Sequence, residues 1–468
     1  MVSVPAVRRL AVACGLALVA AGCGSRLPEA ELAGGGGAGG GRVAVDDGPG
    51  SAPTDGAAPT FGTLAVPCGP GARPPAQPAS DTEGVTQDRI EIAVISDRAG
   101  QVKVPTASIE ESMQAFVDWC NGFGGINGRE LDLTTIDSKL FSHLEATKEA
   151  CDAGVLAIVG SGSVTDNQGA QEMVDCGLVE VPAYAATPAK ALSDNVVQPL
   201  PNPSDRYNVG PALRMVAEHP EAVRRAAILY PSVGTATVQA QRMKEAYERA
   251  GFTFVFERET SAVKESYATE VVEMERAGVE WVTMVSASSE VVKLLRDMRT
   301  QGFAPTVIDL GQQYYGPELL AEPAAEGAIV QLSIVPFEEA DQSSALQAYL
   351  EAYEASAGDR APQPTALGVN AFSAGLLFAT VASSLGDDLT RANLLDALHG
   401  VTAWDGGGLH APANPGDREL SPCFASVQVR DGAFVRVHPA DAASFACDPS
   451  FGIDLGSDFG GGATAGGP

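Results

Sequence analysis

The stretch AIVGSGSVTDN, residues 157–167, runs from apolar residues into glycine and serine and then into Asp166 and Asn167. A strand that ends in such a loop before a helix is a common way to hold a small anion, because the free N–H groups of the helix start face it. A Walker-type phosphate cradle needs GK[ST] after the loop, and a dinucleotide loop needs a third glycine; both are missing. The GxSxG spacing of a nucleophile elbow is missing as well. SAVK at 261–264 matches SxxK and SDN stands at 193–195, but the order is wrong for a penicillin-binding enzyme and there is no KTG. The five histidines (His143, His219, His399, His410 and His438) are scattered, and no HExxH or EF-hand pattern occurs. What remains are serine and threonine hydroxyls and backbone N–H groups, which hold a carboxylate or another polar anion without acting on it. The plainer alternative is a solvated helix start capped by Asp166 alone.

These residues need a frame, and the pattern around them supplies one. Five times a helix-like segment ends in glycine and runs into an apolar strand: CDAGVLAIV, VDCGLVEVPAY, ERAGFTFVF, ERAGVEWVTMV and RTQGFAPTVI. Glycine just past a helix takes the left-handed conformation that closes it. The strands are short and rich in Val and Ile, as buried parallel strands are. Ile109, Met113, Phe116, Val117 and Cys120 fall on one helical face, and Val291, Leu294, Leu295 and Met298 on another. Ser142 and Glu145 are spaced as a capping box. Alternating β and α at this spacing predicts a doubly wound parallel α/β sheet. The pattern runs twice, over about 89–190 and about 225–310, with QPLPNPSDRYN between. Two such lobes would present the carboxyl ends of their strands to one cleft.

The chain of 468 residues is long enough for two or three domains, and its formal net charge of −29 argues against a nucleic acid or an anionic lipid surface as partner. Its first residues, MVSVPAVRRLAVACGLALVAAGCGS, place Arg8 and Arg9 before a short apolar run and then small residues up to Cys23. That is a signal peptide over 1–22, too short to span a membrane. AAGC resembles a lipobox, with Ala20 where leucine is usual, so Cys23 is the expected lipidation site and an ordinary secretory cleavage site is the alternative. Residues 23–84, with GGGGAGGG and repeated Ala-Pro steps, read as a flexible tether, and 449–468 as a disordered tail.

Export changes the reading of the cysteines. Six remain beyond Cys14 and Cys23, an even number without a CxxC pair or a histidine at ligand spacing, so disulfides are expected rather than metal ligands. Cys151 and Cys176 end the helices on either side of VLAIV, which are neighbours on one face in a 2-1-3-4-5 strand order. Cys423 and Cys447 flank SVQVRDGAFVRV, whose Asp-Gly turn signals a hairpin. Cys68 is then the expected partner of Cys120. No metal or cofactor is expected.

RIEIAVISDRAG, FVDWCNGFGGINGREL, AIVGSGSV and VPAYAATPAKAL follow one another in an order that resembles the leucine/isoleucine/valine-binding family, the type I periplasmic substrate-binding proteins of ABC importers. The resemblance covers roughly residues 88–440, with NGFGGINGR its most specific piece. It implies two Rossmann-like lobes, 85–203 with 337–421 and 204–336 with 422–448, joined by three hinge crossovers and closing on a ligand. By matched position it implies that Ser161 and Ser163 grip the ligand from one loop. Ala185, through its carbonyl, and Thr187, through its hydroxyl and N–H, would grip it from the next. The second lobe departs from the pattern. Where amino-acid binders place an acidic residue for the ammonium, this chain has Gln312 and Gln313, and where they often have tyrosines it has Ser286, Ser288, Ser232 and Val233. A buried ammonium without a carboxylate is costly, so the ligand class stays open. Tyr184, Tyr230 and Tyr314 are candidates to stack on an apolar or ring-bearing ligand.

The function these features imply is capture of a small polar, amino-acid-like molecule by a lipid-anchored, exported monomer that delivers it to an ABC permease. A sensor of the same fold and an exported hydrolase are the rivals.

Overall fold

The computed structural model describes residues 58–72, 76, 83–99, 106–358 and 363–456. The expected signal peptide, the expected lipidation site Cys23, the other residues up to 57 and the tail beyond 456 lie outside them.

The described chain opens with a hairpin, β1 (Thr60–Phe61) and β2 (Leu64–Ala65). Four βα units follow: β3 (Arg89–Ser96) with α1 (Ala107–Gly122), β4 (Glu130–Asp137) with α2 (His143–Asp152), β5 (Ala157–Val159) with α3 (Ala170–Asp175), and β6 (Val179–Val181) with α4 (Pro188–Ala191). Their strands form a parallel sheet in the order β4-β3-β5-β6, and Val196 adds a single parallel bridge beside Glu180.

The second lobe begins with β7 (Arg206–Asn208) and α5 (Gly210–Glu218). It continues through β8 (Ala226–Pro231), α6 (Gly234–Ala250), β9 (Phe254–Thr260), α7 (Ala268–Arg276), β10 (Trp281–Met284), α8 (Ser288–Gln301), β11 (Val307–Leu310), α9 (Pro317–Leu320) and β12 (Ile329–Leu332). The chain then returns to the first lobe as α10 (Ser344–Ala357), α11 (Ala366–Leu385) and α12 (Arg391–His399), with α10 and α11 packed on α1. It ends in the second lobe with β13 (Cys423–Arg430), β14 (Ala433–His438), β15 (Ala446–Cys447) and β16 (Gly452–Asp454). The larger sheet runs β9-β8-β10-β11-β12-β13-β14, parallel up to β12 and antiparallel beyond it. Both lobes are thus doubly wound.

The local signals translate directly. Gly154, Gly177, Gly251, Gly278 and Gly302, the five glycines between helix and strand, all have positive φ. Asp431 and Gly432 also take positive φ and join Arg430 to Ala433 in a two-residue hairpin. The apolar faces read on α1 and α8 are buried throughout. Helix α11 is apolar and long enough to cross a membrane, but 83% of its most apolar stretch is buried inside the fold, as the core helix of the first lobe. The three expected disulfides form: Cys68–Cys120, Cys151–Cys176 and Cys423–Cys447.

Three expectations need correction. Residues 58–72 are not a tether: Phe61 is fully buried against Trp119 and Phe372, and Cys68 is bonded to α1. Residues 449–456 are not a disordered tail, because β16 pairs with β7 along Gly452–Asp454. Ser142 precedes α2 but makes no side-chain cap, since its ψ of 35° departs from the extended conformation that capping requires.

The chain crosses between lobes three times, after α4, after β12 and before β13. Asn208 ties the first crossover to the third: its Nδ2 donates to the carbonyls of Ser421 and Cys423, both at 3.0 Å, and its Oδ1 accepts from Gly210 N–H at 2.9 Å. Arg242 of α6 fixes the first crossover from the other side, donating to the carbonyls of Pro203 at 2.6 Å and Arg206 at 2.5 Å.

Candidate functional site

A cavity of about 480 Å³ lies between the lobes at the carboxyl ends of both sheets, where open α/β sheets bind ligands. Leu140, Val164, Tyr184 and Ala186 line it from the first lobe, and Val233, Ser286, Ser288, Gln312 and Gln313 from the second. Gln198, Leu200, Pro201 and Asn202 of the first crossover close its back. One hydrogen bond spans the lobes across its rim, from Thr235 N–H at the start of α6 to the Val164 carbonyl, at 3.2 Å.

The two first-lobe loops singled out in the sequence are neighbours, joined by Ala183 N–H to the Ser161 carbonyl at 2.8 Å. Their polar groups, however, bond one another's surroundings. Ser161 Oγ donates to Glu180 of β6, which is ion-paired with Lys190. Ser163 Oγ donates to Asp97 at 3.2 Å, and Asp97 also accepts from the N–H groups of Leu140 at 2.9 Å and Val164 at 2.8 Å. Asp166 does not cap its own helical turn. Its carboxylate accepts from the Thr187 hydroxyl at 2.5 Å and the Ala186 N–H at 2.8 Å, with Thr187 N–H at 3.4 Å. An internal carboxylate therefore holds the donors that the resemblance implies for a ligand's. Burial pushes Asp166 up to about 6, against the pull of the Thr187 hydroxyl. Ala185 is buried and its carbonyl receives Asn202 Nδ2 at 3.5 Å.

In the second lobe, the Tyr314 hydroxyl is spent inside the fold. It accepts from Ser286 N–H at 2.7 Å and lies 2.8 Å from the Met284 carbonyl, which fixes the loop after β10. The Tyr230 hydroxyl bonds Glu257 at 2.8 Å, on the β9 side and away from the cavity lining. Ser232 is exposed and outside the lining, whereas its neighbour Val233 is within it. Gln312 Oε1 accepts from Ser333 Oγ at 2.6 Å, and Ser288 Oγ lies 3.5 Å from the Gln313 carbonyl.

Close to the Lys190 site sits His143, 1% exposed, with no partner for either ring nitrogen among the described residues. Burial, and then the Lys190 charge, hold its pKa down to about 3. Its unfolded value is 6.5, so the unfolded chain binds the extra proton between those limits and stability is lost as pH falls through that window. Asp166 and Asp309, raised to about 6 and about 7, act in the opposite sense over their own windows. The difference between variants isolates the histidine. H143L is expected to gain about 2 kcal/mol on the parent between pH 7 and pH 5. Urea unfolding at both pH values measures it, and a gap that does not change with pH would disprove it.

Sequence reading missed Asn202, Tyr207, Gln239, Arg242, Asp309 and Phe424, all on the cavity wall. A partial signal existed: two of them lie in QPLPNPSDRYN, the segment read as a connection, and the segment linking two lobes also backs their cleft.

The profile of a family described as "Periplasmic binding protein" matches residues 89–433. Among solved structures, a fatty acid ABC transporter substrate-binding protein from Thermomonospora curvata is similar, with TM-score 0.66 and 21% identity over 78% of this chain and 94% of that one. A branched-chain amino acid transporter substrate-binding protein from Streptococcus pneumoniae in complex with isoleucine has TM-score 0.61 and 16% identity over 75% of this chain and 100% of that one. A solute-binding protein from R. palustris in complex with benzoate has TM-score 0.64 and 14% identity over 77% of this chain and 98% of that one. A comparison with curated protein sequences finds no significant match. With two doubly wound lobes, three crossovers and a cleft at the strand ends, the chain belongs to the periplasmic binding protein family and has its type I fold, that of extracytoplasmic solute-binding proteins.

Proposed function

We propose that this protein is the lipid-anchored solute-binding component of an ABC importer. It would be exported, attached to the outer face of the membrane through Cys23, and monomeric. It would capture a small molecule between its lobes and release it to the permease without a covalent step. The observation that carries this reading is the interlobe cavity, at the place where this fold presents both sets of strand ends. Tyr184, Ser286, Ser288, Gln312 and Gln313 are the proposed contacts among the residues singled out in the sequence.

The ligand we propose differs from the small polar, amino-acid-like molecule that the sequence suggests. Ser161, Ser163 and Thr187 are bonded to Glu180, Asp97 and Asp166, so a ligand carboxylate arriving there would meet buried anions in place of free donors. Leu140, Val164, Tyr184, Leu200 and Val233 offer apolar surface instead. A molecule with a mainly apolar body, and not a zwitterion, fits that wall.

A thermal-unfolding screen of the full-length protein against amino acids, fatty acids, aromatic acids, amines and nucleosides tests both parts. A ligand at a hundred times its dissociation constant adds about 2.7 kcal/mol. Shifts confined to mainly apolar compounds support the reading. A shift with leucine or isoleucine would overturn the ligand class, and turnover of any bound compound would mark an enzyme.

A further inference from the structure

The cavity does not stop at the cleft. It passes the first crossover and continues one layer into the second lobe, under α5 and α6, where Tyr207, Tyr247, Pro211, Phe424 and Asp309 line it. Asp309 points to this side from the penultimate position of β11 and is 2% exposed. Its Oδ1 accepts from Gln331 Nε2 at 2.7 Å, and Gln331 is held in that orientation because its Oε1 accepts from Ser426 Oγ at 2.6 Å. Its Oδ2 has no hydrogen-bond partner among the described residues. Trp281 on the neighbouring strand carries an indole N–H near enough to lower the carboxyl's proton affinity, yet it too lacks a bond of good geometry. The arm therefore ends in a buried carboxyl group, one oxygen of which makes no well-formed hydrogen bond, beside the Trp281 indole and walled by aromatic rings.

Two guanidinium groups stand nearby; each is partly held within the fold, while Arg242 Nε and Arg214 Nη1 have no hydrogen-bond partner among the described residues. Arg242 is held by the carbonyls of Pro203 and Arg206 and by Asn202 Oδ1 at 3.1 Å and Gln239 Oε1 at 3.2 Å, and it lies 5.6 Å from the centre of the Tyr207 ring. Arg214 is paired with Glu218 at 2.9 Å.

An unpartnered buried acceptor requires a donor from whatever fills the space. A carboxylate among aromatic faces favours a donor that also carries positive charge, since ring faces attract cations. We infer that this inner arm is a subsite for the amine head of the ligand, whose apolar body lies in the cleft. This rests on the proposed solute-binding reading and names its ligand class as a hydrophobic monoamine.

The test compares 2-phenylethylamine and octylamine with 2-phenylethanol and octanol, binding each to the full-length protein by calorimetry. The two members of each pair match closely in apolar area and differ in the charged donor. The amines are expected to bind about tenfold tighter or more than the alcohols, the scale of one charge-assisted hydrogen bond. D309N, which retains an acceptor for Gln331, is expected to erase that preference, whereas S232A, on the surface outside the lining, retains it. Should D309N not fold, the comparison on the parent protein still decides. Amines and alcohols binding alike would overturn the subsite, with the arm holding only water, and would leave the solute-binding reading intact. Failure of every compound, here and in the wider screen, would overturn both.

Discussion

Replacing Lys190 with methionine is expected to remove about 3–5 kcal/mol of stability, the cost of leaving a buried carboxylate without its counter-ion. Lys190 is 1% exposed and Glu180, its partner, is 2% exposed at the centre of β6. In the folded K190M chain Glu180 would retain only the Ser161 hydroxyl, so it would have to take up a proton or admit water into the sheet edge. The double variant E180Q/K190M removes both charges and leaves Ser161 an amide oxygen to bond, so it is expected to recover most of the loss. Urea unfolding of the parent, the single and the double variant measures the set. Equal loss in single and double variants would show that packing, not charge, makes the site. Because Lys190 of α4 follows the loop that carries Tyr184, and Ser161 is hydrogen-bonded to that loop, K190M is also expected to weaken ligand binding where the double variant does not.

Gly234→Val is expected to leave the ligand-free protein folded and to weaken its affinity for the best ligand of the screen about tenfold or more. Gly234 is the first residue of α6 and lies on the surface, so a side chain there does not disturb either core. A Cβ at this position would sit 2.6 Å from the Val164 carbonyl oxygen of the other lobe, too close for either backbone to absorb. The same carbonyl accepts the interlobe bond from Thr235 N–H. The substitution therefore acts on the closed arrangement alone, and apparent affinity falls in proportion to the closed fraction, with each 1.4 kcal/mol worth a factor of ten. Calorimetry reads the affinity and small-angle scattering the opening. Unchanged affinity with unchanged scattering would mean that this rim contact plays no part in closure.

The doubly wound lobes were legible because their signals are local. Each helix-closing glycine, the Asp431–Gly432 turn and the apolar faces of α1 and α8 are written within a few residues of where they act. The Cys151–Cys176 pairing followed from an expected strand order and the Cys423–Cys447 pairing from the hairpin, which left Cys68 for Cys120. The misread segments depend on distant partners. Phe61 stands in a stretch rich in glycine and proline, and only Phe372, Trp119 and α10 make it core. β16 exists because β7, more than two hundred residues earlier, offers it an edge. The site was legible in part for the same reason. The loop at 161–163 was found from its composition and that at 185–187 from the resemblance, but the groups that consume their hydroxyls, Asp97, Glu180 and Asp166, stand elsewhere in the chain. Nothing in a local pattern says where a buried carboxylate will spend its lone pairs.

Asn208 bonds two of the three lobe crossovers to each other, and Arg242 grips one of them again. Independent linkers would let one lobe slide, twist and rock against the other. Linkers fastened together where they enter the second lobe resist sliding and leave rotation about one axis as the soft mode. The molecule then has a single reaction coordinate between its ligand-free and ligand-bound shapes. The proposed permease partner, sensing this one angle, would distinguish the loaded from the empty protein whatever the ligand looks like inside.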